Sequence, residues 1–253
     1  MKFTMQPTAP SGVILPDSRF EAPELWTPGR KPVGNVKINV DHKAAQGLLF
    51  VCLPRGTDTR DYVTGESPTV TVPDEITFNP TSINFDPSEQ GYGTPRPSLR
   101  FNTTTSGDVA VLFKYRLNPS VGGGFGRIID TKELWGGDDG FYIGARGSGN
   151  FEIRGGGTDY RNGTFTQGTD WHVGELIYVG AQVWLYVDGA TIINGLSIGA
   201  ITSVERAVTV GHDTGDGDYS FDGDIEYVYV YDSSRYSRSY GIPQDPYQFL
   251  VNV

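Results

Sequence analysis

WHVGELIYVGAQVWLYVDGATII, residues 171–193, and AVTVGHDTGDGDYSFDGDIEYVYVYD, residues 207–232, read as a run of antiparallel strands punctuated by tight turns. In the first, Trp184 and Tyr186 alternate with Val183, Leu185 and Val187, and the run ends at Asp188-Gly189. An Asp-Gly pair beside such alternation is a strong hairpin signal, because the turn that fits the twist of paired strands needs positive φ at both central residues. In the second, Ala207–Val210 predicts a strand, an acidic loop follows, and Phe221-Asp-Gly-Asp-Ile opens the last strongly patterned strand.

The same reading extends upstream. Residues 98–101, 108–117, 126–130, 140–145 and 150–154 are short β-capable runs bounded by Gly, Pro or Asn. Short strands at intervals of roughly 8–14 residues predict a sandwich with Greek-key links. Val36, Ile38 and Val40 alternate with Asn and Lys, and Asp41–Gly47 reads as a short helical or turn connection with Asp41 as N-cap and Gly47 as stop. Leu48–Leu53 is a continuous apolar strand expected to be buried on both faces. Residues 54–97 are polar and Pro-rich, with β-capable pieces at 69–72 and 75–78, and read as an insertion or loops. Ser233–Tyr240 suggests one helical turn before a Pro-bounded tail. The expected organisation is an extended arm over 1–36, a β-sandwich over 37–232 and a tail over 233–253.

The arm differs from the rest in kind. Pro7, Pro10, Pro16, Pro23, Pro28 and Pro32 interrupt any periodicity, while Phe3, Phe20 and Trp26 stand as isolated apolar anchors near Arg30 and Lys31. Proline fixes φ and removes a backbone donor, so such a segment lies extended along another surface, as a docking peptide or a disordered leader.

Composition narrows the function classes. Twenty basic residues against thirty acidic ones give a net charge of -10, which disfavours nucleic acid and anionic bilayers as partners. No apolar stretch of about 18 residues is present to span a bilayer, and the first twenty residues do not form a secretory leader. The single cysteine, Cys52, lies in an apolar run and reads as a buried core residue. Absence of disulfide pairs points to assembly in a reducing compartment.

Two acidic clusters carry the chemistry to be tested. Asp222, Asp224 and Glu226 alternate, so a strand would project all three from one face. A retaining glycosidase needs two carboxyls about 5–5.5 Å apart, a separation that neighbouring same-face positions approach. The structural alternative, which is preferred, has Phe221 and Ile225 packing inward and the acids facing solvent or a turn. Asp213, Asp216 and Asp218 lie in a Gly-rich loop whose flexible oxygen ligands suit Ca²⁺, with Asp138 and Asp139 as further candidates. The run Tyr227-Val-Tyr-Val-Tyr puts three tyrosines on one face, either as a platform for a sugar or partner or, preferably, as part of the core.

The order of these motifs resembles the laminin-G-like, concanavalin A-like jelly roll, which implies an all-β antiparallel β-sandwich with an extended Pro-rich arm. Within it, Asp222-Gly-Asp224-Ile-Glu226 is similar to the Glu-x-Asp-x-Glu catalytic strand of laminarinase-like enzymes, with Asp in place of the leading Glu. Residues 26–34, 36–48 and 245–250 resemble the start and finish of laminin-G-like proteins of tailed bacteriophage structural modules. This resemblance implies a virion structural protein that decorates the capsid or sits on the tail. It would assemble in the host bacterial cytoplasm as a homo-oligomer, join the major capsid or tail protein through its terminal arm, and require no cofactor. The alternative is a carbohydrate-binding module for host surface glycans, Ca²⁺-dependent through the Asp213–Asp218 loop. A glycan hydrolase is the third reading.

Overall fold

The computed structural model describes residues 36–54, 56–87, 96–105, 107–118, 125–131, 140–146, 150–155, 158–162, 165, 168–201, 206–212, 220–233 and 247–252. The arm residues Phe3, Phe20, Trp26, Arg30 and Lys31 lie outside them, as do Asp138, Asp139, Asp213, Asp216, Asp218 and the expected helical turn at 233–240 beyond Ser233.

The strands in chain order are β1 (Val36–Ile38), β2 (Leu48–Pro54), β3 (Thr59–Asp61), β4 (Thr69–Thr71), β5 (Ile76–Phe78), β6 (Ile83–Phe85), β7 (Ser98–Thr105), β8 (Val109–Leu117) and β9 (Phe125–Asp130). They continue as β10 (Phe141–Arg146), β11 (Phe151–Gly155), β12 (Thr158–Asn162), β13 (His172–Val179), β14 (Gln182–Val187), β15 (Ala190–Ser197), β16 (Arg206–Val210), β17 (Gly223–Asp232) and β18 (Leu250–Asn252). Pairing is antiparallel throughout the described strands. A seven-stranded sheet has the order β12-β11-β10-β9-β16-β7-β4, and a nine-stranded sheet has β15-β14-β13-β8-β17-β2-β3 with β6 and β5 beside β17. The fold is an all-β jelly-roll sandwich, as the strand periodicity requires.

Alternation sorts each strand between two environments. Phe113, Tyr115, Leu176, Leu185, Val228 and Val230 from one sheet meet Phe101, Ile129, Phe141, Ile143, Phe151 and Val210 from the other in one buried core. Asp188 and Gly189 adopt φ of +50° and +79°, the geometry the hairpin signal predicts for the β14–β15 turn. Phe221 and Ile225 are fully buried in this core, as expected. Cys52 is buried too, on the inward face of β2.

A second apolar cluster lies on the opposite face of the nine-stranded sheet. Val51, Leu53, Ala110, Leu112, Tyr227, Tyr229 and Tyr231 are covered there by Ala45, Tyr247, Phe249 and Leu250. The expected two-sided burial of Leu48–Leu53 therefore holds from Phe50 to Leu53, with Leu48 and Leu49 half-buried, and the three tyrosines belong to the core. The roof is a two-stranded ribbon in which Val36, Lys37 and Ile38 pair with Asn252, Val251 and Leu250. Tyr227 and Tyr229 stack at 4.8 Å, and Phe249 meets Tyr229 edge-on at 5.3 Å. Each fully buried aromatic side chain contributes roughly 1.5–3 kcal/mol by leaving water, so this roof is a substantial part of the fold.

Several expectations change. Val36, assigned to the arm, is the first residue of β1. The end of the tail, expected among the irregular ends that reach a neighbouring subunit, is docked from Tyr247 to Asn252 on its own sandwich. Residues 54–97 hold no separate insertion among the described residues. They supply β3, β5 and β6 to one sheet and β4 to the other. The connection after β1 is a 3-10 turn at Lys43–Ala45, and its cap is His42 rather than Asp41, with His42 Nδ1 accepting from Ala44 N at 3.1 Å.

Candidate functional site

β17 and the residue before it bring Asp222, Asp224 and Glu226 to one end of the nine-stranded sheet, where β17 runs between β8 and β6. Gly223 makes the approach possible. Its φ is +152°, and a Cβ there would lie 2.1 Å from the backbone oxygen of Arg116, a contact no side chain tolerates. Beyond Ile225 the register with β8 shifts, since Ile225 opposes Tyr115 and Tyr227 opposes Lys114. Glu226 is the extra residue of a β-bulge, which lets Glu226 follow Asp224 onto the outer side while Tyr227 also stays there.

The acids do not face solvent as expected. Asp224 is only 3% exposed; its Oδ1 accepts from Ser82 Oγ at 2.9 Å and its Oδ2 from Arg116 Nε at 2.8 Å. Glu226 accepts from the Tyr247 hydroxyl on one oxygen and pairs through the other with Lys114 Nζ at 2.5 Å. Asp222 is half-buried and accepts from Asn118 Nδ2 at 2.7 Å. Burial raises its pKa above the usual carboxylate value, the Asn118 hydrogen bond works against that, and the charge of Asp86 adds to it. Both oxygens of Asp224 and of Glu226 thus already have donors from the protein.

In front of these carboxylates stand the cations and an indole. Arg116 is 44% exposed in its side chain, and its Cζ lies 5.0 Å from the centre of the Trp171 ring. Lys114, 29% exposed, places Nζ 5.4 Å from the same ring. Trp171, just before β13, is partly exposed. The result is a partly exposed indole with two cations over its ring, each cation fixed from behind by a more buried acid. Charge-assisted pairs of this kind fix orientation as well as energy.

Sequence reasoning singled out the acids and missed the rest. Lys114 and Arg116 occupy the outward positions of β8, and their spacing of two was a usable signal. Trp171, Ser82 and Asn118 carried none, because only the folded chain brings them to β17.

A second polar cluster lies on the outer face of the seven-stranded sheet. Arg127 pairs with Asp130, and its Cζ stands 3.8 Å from the centre of the Tyr142 ring, while Tyr142 donates to Glu152 Oε1 at 2.7 Å. Arg154 opposes Tyr142 across the strands. All five are at most 4% exposed. Buried ion pairs are costly unless their hydrogen bonds are met, so this network ties β9, β10 and β11 together and offers no open surface. At the mouth of the core, His172 Nδ1 lies 2.7 Å from Asp188 Oδ2, which fastens the β14–β15 turn to the start of β13. No group of three metal-ligating side chains occurs among the described residues. No helix among them is long and apolar enough to cross a membrane.

No family model and no curated protein matches the sequence. Solved structures do match the fold. A Trypanosoma rangeli sialidase in complex with sialic acid aligns with a TM-score of 0.52 at 12% identity, over 75% of this chain and 32% of the sialidase. The binding domain of Botulinum Neurotoxin DC in complex with SialylT aligns with a TM-score of 0.52 at 14% identity, over 77% of this chain and 50% of that domain. The carbohydrate-binding module CBM40 of a Ruminococcus gnavus sialidase, bound to sialyllactose, aligns at 0.49 and 15% identity over 65% of this chain and 96% of the module. The chain thus spans about a third of the trypanosomal sialidase and half of the toxin domain. At these identities the likeness establishes a shared β-sandwich.

Proposed function

We propose that this protein is a glycan-binding module of lectin-like fold, and that its binding surface is centred on Trp171. The observation that carries the reading is the partly exposed Trp171 with the side chains of Arg116 and Lys114, 44% and 29% exposed, over its ring. A sugar presents an apolar C–H face and a rim of hydroxyls, and a rigid aromatic surface flanked by fixed polar groups complements both. The likeness to a sialidase and a toxin domain solved with sialic acid-containing ligands supports the same class of ligand. The arrangement of two of the acids supports binding without hydrolysis as part of this reading. Asp224 and Glu226 are held by Arg116, Ser82, Lys114 and Tyr247, so they serve as anchors for the donors rather than as an acid and a nucleophile.

A glycan array probed with the intact chain and with Trp171→Ala tests this. Binding to a subset of glycans, lost in the variant while the melting temperature is retained, is the expected outcome. Retention of all binding by Trp171→Ala would remove this surface from the proposal, and a blank array would remove the function.

The resemblance of the chain's ends to phage structural proteins adds a setting to the proposal, the surface of a virion, with the module held by residues 1–35. That setting rests on the sequence alone. Copurification with particles, lost on deleting residues 1–30, is its test; particles that incorporate the shortened chain fully would contradict attachment through the arm.

A further inference from the structure

Resting on the glycan-binding reading, we infer that the Trp171 surface selects a sugar bearing a carboxylate, and that Arg116 is the residue that recognises it. Arg116 is fixed but not used up. Its Nε is tied to Asp224, and Asp224 is itself tied to Ser82, so the guanidinium plane is set before any ligand arrives. Its two terminal nitrogens have no acceptor among the described residues, and 44% of the side chain remains exposed.

A planar pair of N–H donors held in one orientation matches the two oxygens of a carboxylate, which a neutral hydroxyl does not. The order of exposure reinforces this choice. Asp224 and Glu226 lie behind at 4% and 13%, while Arg116 and Lys114 stand in front at 44% and 29%. Within each of these two pairs the cation is therefore the more accessible partner, although the whole chain carries a net charge of -10. Trp171, over whose ring Arg116 lies at 5.0 Å, supplies the other half of the site, the partly exposed part of its indole offering the sugar an apolar surface while the carboxylate reaches Arg116.

Calorimetric titration of the intact chain with matched probes tests the inference. One pair is an oligogalacturonate and its carboxyl-reduced counterpart; the other is sialyllactose and its methyl ester. At least one acidic probe should bind, and its neutral counterpart should bind about tenfold more weakly or worse, the loss expected for one hydrogen-bonded charge pair. The pair that responds identifies a uronic or a sialic sugar as the source of the carboxylate. Arg116→Lys should narrow the ratio between acidic and neutral probes, since lysine keeps the charge and loses the fork. Equal affinity for acidic and neutral members would overturn the inference and leave glycan binding standing. So would binding confined to neutral glycans. Failure of every acidic and neutral glycan would overturn both.

Discussion

Asp222 contributes unfavourably at neutral pH. Its pKa is raised chiefly by burial, so in the window above the usual carboxylate value the folded state holds the proton more tightly than the unfolded state does. Stability through this group is greater at low pH and is lost as pH rises through the raised value. Asp222→Asn keeps an acceptor for Asn118 and removes the charge. The variant should melt above the parent at pH 7, with the difference shrinking as pH falls toward the ordinary aspartate value; an unchanged difference across that range would refute the assignment. Gly223 makes the opposite kind of demand. A methyl group there meets the Arg116 carbonyl at 2.1 Å, so Gly223→Ala should cost about 1–3 kcal/mol in denaturant unfolding, as other forced overpacking does. Neither effect was legible in the run Asp222–Glu226. The sequence showed that Phe221 and Ile225 point inward, because alternation is local. It did not show that Asp224 is buried, because its partners Ser82 and Arg116 lie 142 and 108 positions away.

Among the elements, the ribbon of β1 and β18 sets this sandwich apart from a plain two-layer fold. It converts the tyrosine face of β17 into a second core, with Phe249 fully buried over Tyr229. Phe249→Ala should cost about 3–5 kcal/mol and raise hydrogen exchange along β1 and β18 together; protection lost only in β18 would show that the ribbon is not one unit. His42 gives this region a pH dependence. Burial lowers its pKa, so in the window just below the ordinary histidine value the unfolded state binds the proton more readily. Stability through His42 is present above that value and is lost as pH falls, because protonation also takes away the Nδ1 acceptor that caps the Lys43–Ala45 turn. Local opening of the 36–47 segment should therefore increase from pH 7 toward pH 5, and His42→Asn, which caps without titrating, should flatten the profile. Long alternating strands such as β8, β13 and β17 were readable from their periodicity. Of the three-residue strands between 54 and 97, β4 and β5 fall on the β-capable pieces at 69–72 and 75–78, whereas β3 and β6 were not readable, because so short a run shows no period and its pairing partners decide its place. The docking of residues 247–252 was hidden for a related reason. A Pro-bounded tail carries no strand signal until β1 offers it an edge.

Across the whole molecule, the polar groups divide by access. The network of Arg127, Asp130, Tyr142, Glu152 and Arg154 is buried and bonds one sheet to itself, while Arg116 and Lys114 are held from behind by acids and remain partly exposed over Trp171. The roof of β1 and β18 leaves this corner of the nine-stranded sheet accessible while covering the tyrosines beside it, and Tyr247 joins the two by its bond to Glu226. A rigid sandwich is suited to holding a ligand without changing shape, and the central claim is that the ligand is a glycan held at Trp171. The indole N–H resonances of the four tryptophans, assigned with Trp171→Phe, report on this directly during titration with the glycans that bind. The account predicts that the Trp171 resonance moves progressively and saturates while those of the other three stay in place. A saturating shift confined to another tryptophan, with Trp171 unmoved, would contradict it.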